Sequence, residues 1–404
     1  MNWQHVSLRS IATVITKGTT PTSIGHGFSD TGIPFLRVHN IHNHHISLDD
    51  VLFIDETTDE ALARSRIYPK DVLVSIAGTV GRTAVVPPEA PPMNCNQAVA
   101  IIRPQDGVNP YYLSYWFNTE AAIQQIQGLQ VTGTIANLSL SGIQTLHLPL
   151  PSLPEQQRMV AILDRAHAVR QKRKQAIQLM EDLLRSIFLD QFGDSVTKPK
   201  GWNRLTLGEM ASIQKGLHVT PKRQDYPLEV PYLRVANVYR DQLHLEDLKT
   251  MRVTPQELQK IKLEKGDLLL VEGHGNPEEI GRSAVWDGSM QTCVYQNHLI
   301  RVRVDPKIAD PTYISTYLNS EGGRRQFTKF GKTTSGLNTI TASNVKAITI
   351  VCPPLELQQQ YCEWQRQLTH TLQIAQASFQ ESEALFNTLL QRTFRGELQP
   401  VPPR

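Results

Sequence analysis

Asn109-Pro110-Tyr111-Tyr112 has residue types suited to gripping an exocyclic amine during methyl transfer, but it lacks the second proline of an N-P-P-Y loop. No G-x-G lies near a strand end to hold S-adenosylmethionine, and an Asn-Pro pair opening a helix accounts for the run. Gly331-Lys332-Thr333 has the ending of a phosphate-gripping loop. The earlier glycine such a loop needs is Gln326, and Thr328-Lys329-Phe330 is a poor preceding strand, so a basic loop is the better reading. His39, His42, His44 and His45 have zinc-ligand chemistry, but no second ligand group has suitable spacing, and they read as solvent-exposed or polymer-facing histidines. No Pro-Asp pair is followed by Glu-x-Lys, and none of the four cysteines forms a C-x-x-C. The residues present therefore make no catalytic constellation and no metal or cofactor site.

The elements that would position these residues come in two copies. Ile33-Pro34-Phe35-Leu36-Arg37-Val38-His39-Asn40-Ile41 recurs as Val230-Pro231-Tyr232-Leu233-Arg234-Val235-Ala236-Asn237-Val238. Lys17-Gly18 matches Lys215-Gly216, Asp71-Val72-Leu73 matches Asp267-Leu268-Leu269, and Gly81-Arg82 matches Gly281-Arg282. Asn109-Pro110 answers Asp310-Pro311 at the same offset of about 200. Order and spacing persist together, which marks a tandem repeat. In the first copy, apolar or alternating runs at 35–41, 72–76, 84–86, 99–102 and 143–148 read as strands, and 111–127 as a helix. Each copy ends in a long stretch without Gly or Pro, closed by Gly193 and Gly396. Ser152 and Glu155 have the spacing of a capping box at the start of the first. The domain reading is a mixed head at 1–153, a long helix at 154–195, a second head at 196–354, and a second long helix with a tail at 355–404.

A four-three alternation runs through Ile162, Ala166, Val169, Arg173, Ala176, Met180, Leu183 and Ile187. Another runs through Leu368, Leu372, Ala375, Phe379, Ser382, Phe386, Leu389 and Thr393. These seams predict that the two helices pair as a coiled coil, in either orientation, with Arg173 and Ser382 as polar register positions. The fold class is α+β: two repeated mixed α/β domains joined and spaced by two long paired helices.

Charge is uneven. Residues 1–153 carry 8 Lys+Arg against 11 Asp+Glu, whereas residues 196–354 carry 22 against 16, so on net charge only the second head attracts an anionic polymer. No apolar run approaches the ~18 residues of a membrane span. The N-terminal residues lack a signal-peptide pattern, and cysteine usage fits a reducing cytosol.

Taken together, the K-G-x-x-P opening (Lys17 to Pro21), the P-[FY]-L-R-V-x-N strand, Asp71 followed by Gly81-Arg82, the run Pro149 to Gln157 leading into the helix, and the tail Phe394-Arg395-Gly396-Glu397-Leu398 resemble the specificity subunit of type I restriction–modification systems. The second copy departs from the pattern at Pro353-Pro354-Leu355-Glu356-Leu357-Gln358-Gln359, which leaves Glu155 without an obvious counterpart. The resemblance implies two target-recognition domains, each reading one half of an interrupted site in double-stranded DNA. It implies that methyltransferase subunits, two of them, dock on the helices, that restriction subunits join the complex, and that the work is cytoplasmic. S-adenosylmethionine, Mg²⁺ and ATP would belong to those partners, with no cofactor in this chain.

Half-sites usually differ, so groups identical in both copies suit scaffold or phosphate contact: Lys17 and Lys215, Arg37 and Arg234, Arg82 and Arg282. Groups that differ suit base reading: His39 against Ala236, Ser75 against Val271, Gly78 against His274. Thr19, Thr20, Asn40, Asn237 and Thr79 complete these motifs as candidate DNA contacts. Gly133-Thr134 and the basic loop with Lys329, Lys332 and Thr333, which precede the last strand of each copy, suit backbone contact to phosphate, and a plain turn accounts for the first equally well. A stand-alone two-headed DNA-binding regulator, or an adaptor that binds only protein, fits the same features.

Overall fold

The computed structural model describes residues 3–42, 44–129, 137–193, 201–330, 332–334 and 337–398. The chain forms two compact units. One comprises residues 1–175 with 377–404, the other residues 176–376.

In unit one, an antiparallel sheet has the order Ala12–Lys17, Val99–Pro104, Val72–Ser75, Thr83–Val85. Its central strands are continuous runs of Val, Leu, Ile and Ala because both faces are covered. Val72, Val74, Ala100 and Ile102 pack with Tyr112 and Trp116, while Leu73, Ala84 and Ile101 pack with Leu36 and Ile41 on the other side. A second sheet sets Ile33–Leu36 antiparallel to Leu52–Ile54 and parallel to Asn94–Cys95. Asn109 accepts from the amides of Tyr111 and Tyr112 and so caps the helix Pro110–Trp116, which is the structural reason for the Asn-Pro pair. Residues 111–127 are two helices rather than one, because the first ends at Trp116 and a new one runs Glu120–Leu129. Residues 143–148 are likewise not a single strand. Ser139 caps the helix Leu140–Thr145, and only His147–Pro149 extends, pairing with His5–Ser7.

Unit two repeats this plan. The order Ala211–Lys215, Leu299–Val304, Leu268–Val271, Ser283–Val285 and the triplet Lys249–Val253, Leu228–Leu233, Val294–Tyr295 match strand for strand. So do the bidentate ion pairs Arg103–Asp71 and Arg303–Asp267, made at 2.6–2.8 Å on the fully buried carboxylates. In the second copy Leu337–Thr339 pairs with both Gly273–His274 and Lys332–Thr334, and in the first Ala77 bridges Asn137.

The long helices are Leu153–Phe192 and Leu355–Phe394, and each stops at a left-handed glycine, Gly193 (φ 77°) and Gly396 (φ 72°). Each contributes to both units. In unit one the two run antiparallel, since Arg170 pairs with Glu383 and Arg173 donates to the Ser378 carbonyl at 2.8 Å. Phe386, Leu390 and Phe394 join Met159 and Leu163 in the head's core. In unit two, Phe188 and Phe192 pack on Tyr313 and Tyr361 with ring centroids 4.9–5.9 Å apart.

The seam expected on the second helix holds, with Ser382, Phe386 and Thr393 buried. On the first it is displaced by one residue at alternate positions. Leu163 is buried and Arg170 half-buried, while Val169 and Leu183 are each 48% exposed and Ala176 is exposed. Apolar doublets such as Ile162-Leu163 and Leu183-Leu184 offer two overlapping stripes, and packing selects the later one. Glu155 grips Arg158 at 2.7–2.9 Å. The residue that ties head to helix is its neighbour. Fully buried Gln156 accepts from the Asn109 amide and donates to the Gly107 and Pro151 carbonyls, and Gln358 does the same with Asp310, Ile308 and Pro353.

Candidate nucleic-acid interface

In unit two, one end of the four-stranded sheet gathers polar side chains. The register sets Lys215 opposite Ile300 and Val271 opposite Leu299, and the Val271 amide bonds to the Arg282 carbonyl. Lys215, Glu272, Arg282 and His298 therefore leave the sheet together. Beside them lies an open groove of about 520 Å³ lined by Arg234, Tyr239, His274, Arg282, Gln296 and His298. Donors, acceptors and aromatic faces on a shallow, open surface suit a polymer better than an enclosed small molecule.

Its cations are already engaged. Arg282 pairs with Glu279 at 2.9 Å, donates to the Val235 carbonyl and lies 4.9 Å over the Tyr239 ring. Burial alone would raise the Glu279 carboxyl, but Arg282 and Arg240 hold it below the usual range. Arg234 pairs with Asp247, and Lys215 with Glu272.

Unit one presents the corresponding sheet end differently. Lys17 and Arg82 are exposed and form no ion pair among the described residues. Half-buried Thr19 and Thr20 follow Gly18, and the Thr20 hydroxyl bonds Gln97. Gly18 is obligatory there, because a Cβ would stand 2.0 Å from the Cys95 carbonyl oxygen, and Gly216 meets Tyr295 in the same way. Arg82 borders a cavity of about 280 Å³ with Phe117 and Ile126. In the second head Phe327 fills the space beside Gly281.

Several sequence-derived contacts are corrected. Asn40 and Asn237 are buried. Each accepts from the amide of its Arg37 or Arg234 and donates to two carbonyls, so the asparagine of P-[FY]-L-R-V-x-N is a turn clamp. Ser75 and its match Val271 are fully buried, the serine hydroxyl spanning the Thr79 carbonyl and the Arg82 amide, so neither reads a base. Arg282 is only 7% exposed and serves the fold through Glu279 and Val235. Arg37 donates to the Asp50 carbonyl and touches His39. Gly78, Thr79, His39 and Lys329 are exposed, and His274 lines the groove. Lys332 and Thr333 lie in the strand next to the one that pairs with His274. Gly133-Thr134 lies outside the described residues.

Of the histidines, His42 and His45 are exposed, but His44 is not. It sits at φ 74° in a tight hairpin and turns inward to Ser114 Oγ at 2.7 Å. Burial, then the charges of His167, His45 and Arg170, push its pKa down to about 3. The matched Asp241, φ 56°, accepts from Ser315, and burial raises its carboxyl. Among the described residues no group of three or more His, Cys, Asp or Glu is placed to hold a metal ion.

Gln296, His298 and Tyr239 of the groove, and Glu272 beside it, were not anticipated as site residues. The rule of differing matched positions points to two of them, since Glu272 answers Ile76 and His298 answers Ala98.

Comparison with known proteins gives a consistent picture. The family model described as the type I restriction modification DNA specificity domain matches twice, at residues 1–179 and 199–383. The StySPI specificity subunit of a type I restriction enzyme from Salmonella potsdam is 23% identical over 392 residues, 91% of this chain and 83% of its own. The EcoKI specificity subunit from Escherichia coli K12 is 23% identical, with the same coverage. A chain from a structure of a type I R-M system, titled for its complex assembly and conformational transition, superposes with TM-score 0.61 at 18% identity over 98% of both chains. The S subunit of a type I restriction-modification system from M. genitalium gives 0.52 at 13% identity, over 98% of this chain and 96% of that one. With its two matched segments covering both heads and most of both helices, the chain belongs to the type I restriction–modification DNA specificity family.

Proposed function

We propose that this chain is the DNA-reading subunit of a type I restriction–modification complex. Each head takes one half of an interrupted duplex site, and the paired helices present a docking face to two methyltransferase subunits. Those partners, with a restriction subunit, supply adenine methylation, cleavage and the S-adenosylmethionine, Mg²⁺ and ATP chemistry, and the complex works in the cytoplasm beside the DNA it marks. The observation that carries this reading is the duplication of one head with the same sheet end left open in both copies but furnished with different side chains. A shared scaffold with divergent edge residues is what reading two different half-sites requires. Forty-residue helices shared between the units set the spacer.

Replacing residues 202–350 by the matching segment of a relative tests it. In the assembled complex, methylation mapping across genomic DNA should show one half-site changed and the other half and the spacer kept. A change in both halves together overturns the assignment of one head to each half.

A further inference from the structure

Beside the groove of the second head, against His298 of its lining, stands a carboxylate that the first head does without. Glu272 follows the strand Leu268–Val271 and is 12% exposed at its side chain. Lys215 Nζ engages one oxygen, and His298 Nδ1 lies 3.6 Å from the other. A carboxylate offers about four acceptor positions, so these two neighbours leave acceptor capacity unfilled next to the groove. The first head shows that the fold does without this pair. Ile76 stands at the matched position, Ala98 replaces His298, and Lys17 makes no ion pair among the described residues. The buried Asp71 and Asp267, by contrast, are kept with their arginines in both copies.

We propose, resting on the DNA-reading assignment above, that Glu272 is a specificity-determining residue that accepts a hydrogen bond from the N4 amino group of a cytosine in the major groove of the second half-site. A carboxylate facing phosphates would be repelled. Facing a base edge it can only accept, and cytosine N4 presents a donor there. Lys215 offsets its charge and fixes its rotamer, and His298, which lines the groove together with His274, stands next to it. The first head, with Ile76, has no equivalent reader.

The test uses the chain assembled with its methyltransferase subunits on a random-sequence duplex library, scoring the methylated sites. Wild type should require cytosine at one position of the second half-site. Glu272→Gln, whose amide both donates and accepts, should admit adenine there. Glu272→Ala should lose roughly tenfold or more of the discrimination at that position, with the first half-site unchanged. Lys215→Met, which leaves the carboxylate in place, should keep the cytosine preference while binding more weakly. An unchanged preference in Glu272→Gln, or one lost equally in Lys215→Met, assigns the carboxylate to holding the lysine and overturns the proposal. A wild-type complex without any sequence preference defeats the DNA-reading assignment itself, which is a separate outcome.

Discussion

The two heads share a backbone plan and treat the same cations in opposite ways. Lys17 and Arg82 stand exposed, without acidic partners among the described residues, in a head whose formal charge is negative. Lys215 and Arg282 are tied to Glu272 and Glu279 in a head whose formal charge is positive. Glu279 comes from the short insertion 276–279 that the first head lacks, so an added loop converted a surface arginine into a framework residue. Net charge per domain is therefore a poor guide to where phosphate is gripped. What matters is which cations remain uncommitted after folding.

The comparison is sharpest where the heads should not differ. Gln156 and Gln358 each make three hydrogen bonds in buried surroundings with matching partners. Changing either to Ala strands a backbone amide and two carbonyls, and should cost ~2–4 kcal/mol in its own unit. Chemical denaturation of the two variants should show near-equal losses. A large loss in one and none in the other would mean that the repeat does not extend to the junction of head and helix.

The arginines should then separate. Arg82→Ala should leave stability nearly unchanged, weaken DNA binding across all sequences, and lower the salt slope by about one unit. Arg282→Ala should do the reverse. Loss of a nearly buried guanidinium leaves Glu279 and the Val235 carbonyl short of a donor, for ~1–3 kcal/mol in unit two, with little change in salt slope. Thermal unfolding with binding titrations at several salt concentrations reads both. Equal salt slopes for the two variants would break the contrast.

The doubled plan, the helix ends and the family were legible because they rest on local signals: repeated motifs, Asn-Pro and Asp-Pro caps, and terminal glycines. Side-chain roles were legible only where a single sequence feature decides them. Matched identity of Asn40 with Asn237 marked importance but not burial, and their clamp on backbone groups up to ten residues away appears only in the folded turn. The fates of Arg82 and Arg282 depend on a glutamate inserted in one copy. The first helix's seam failed for a different reason: doublets of apolar residues satisfy two stripes at once, and only the facing surface chooses between them.

The smallest expected effect is also the most discriminating, because matched hairpin residues should give pH responses of opposite sign. His44 has a folded pKa of about 3 against an ordinary 6.5. The unfolded chain therefore binds a proton that the folded one refuses, and unit one loses stability as pH falls below 6.5 toward 3. Between pH 7 and 5.5 this amounts to ~1 kcal/mol. Asp241 has a folded pKa above its ordinary 3.8. The folded form is the better proton binder, so its contribution is fully present below 3.8 and fades as pH rises through the folded value. On acidification unit two thus never loses stability from this residue. Stability-versus-pH curves for His44→Asn and Asp241→Asn should diverge accordingly: the first flattens the acid loss, and the second removes a gain. Parallel acid losses in both variants would mean that the two matched hairpin residues do not titrate in opposite senses.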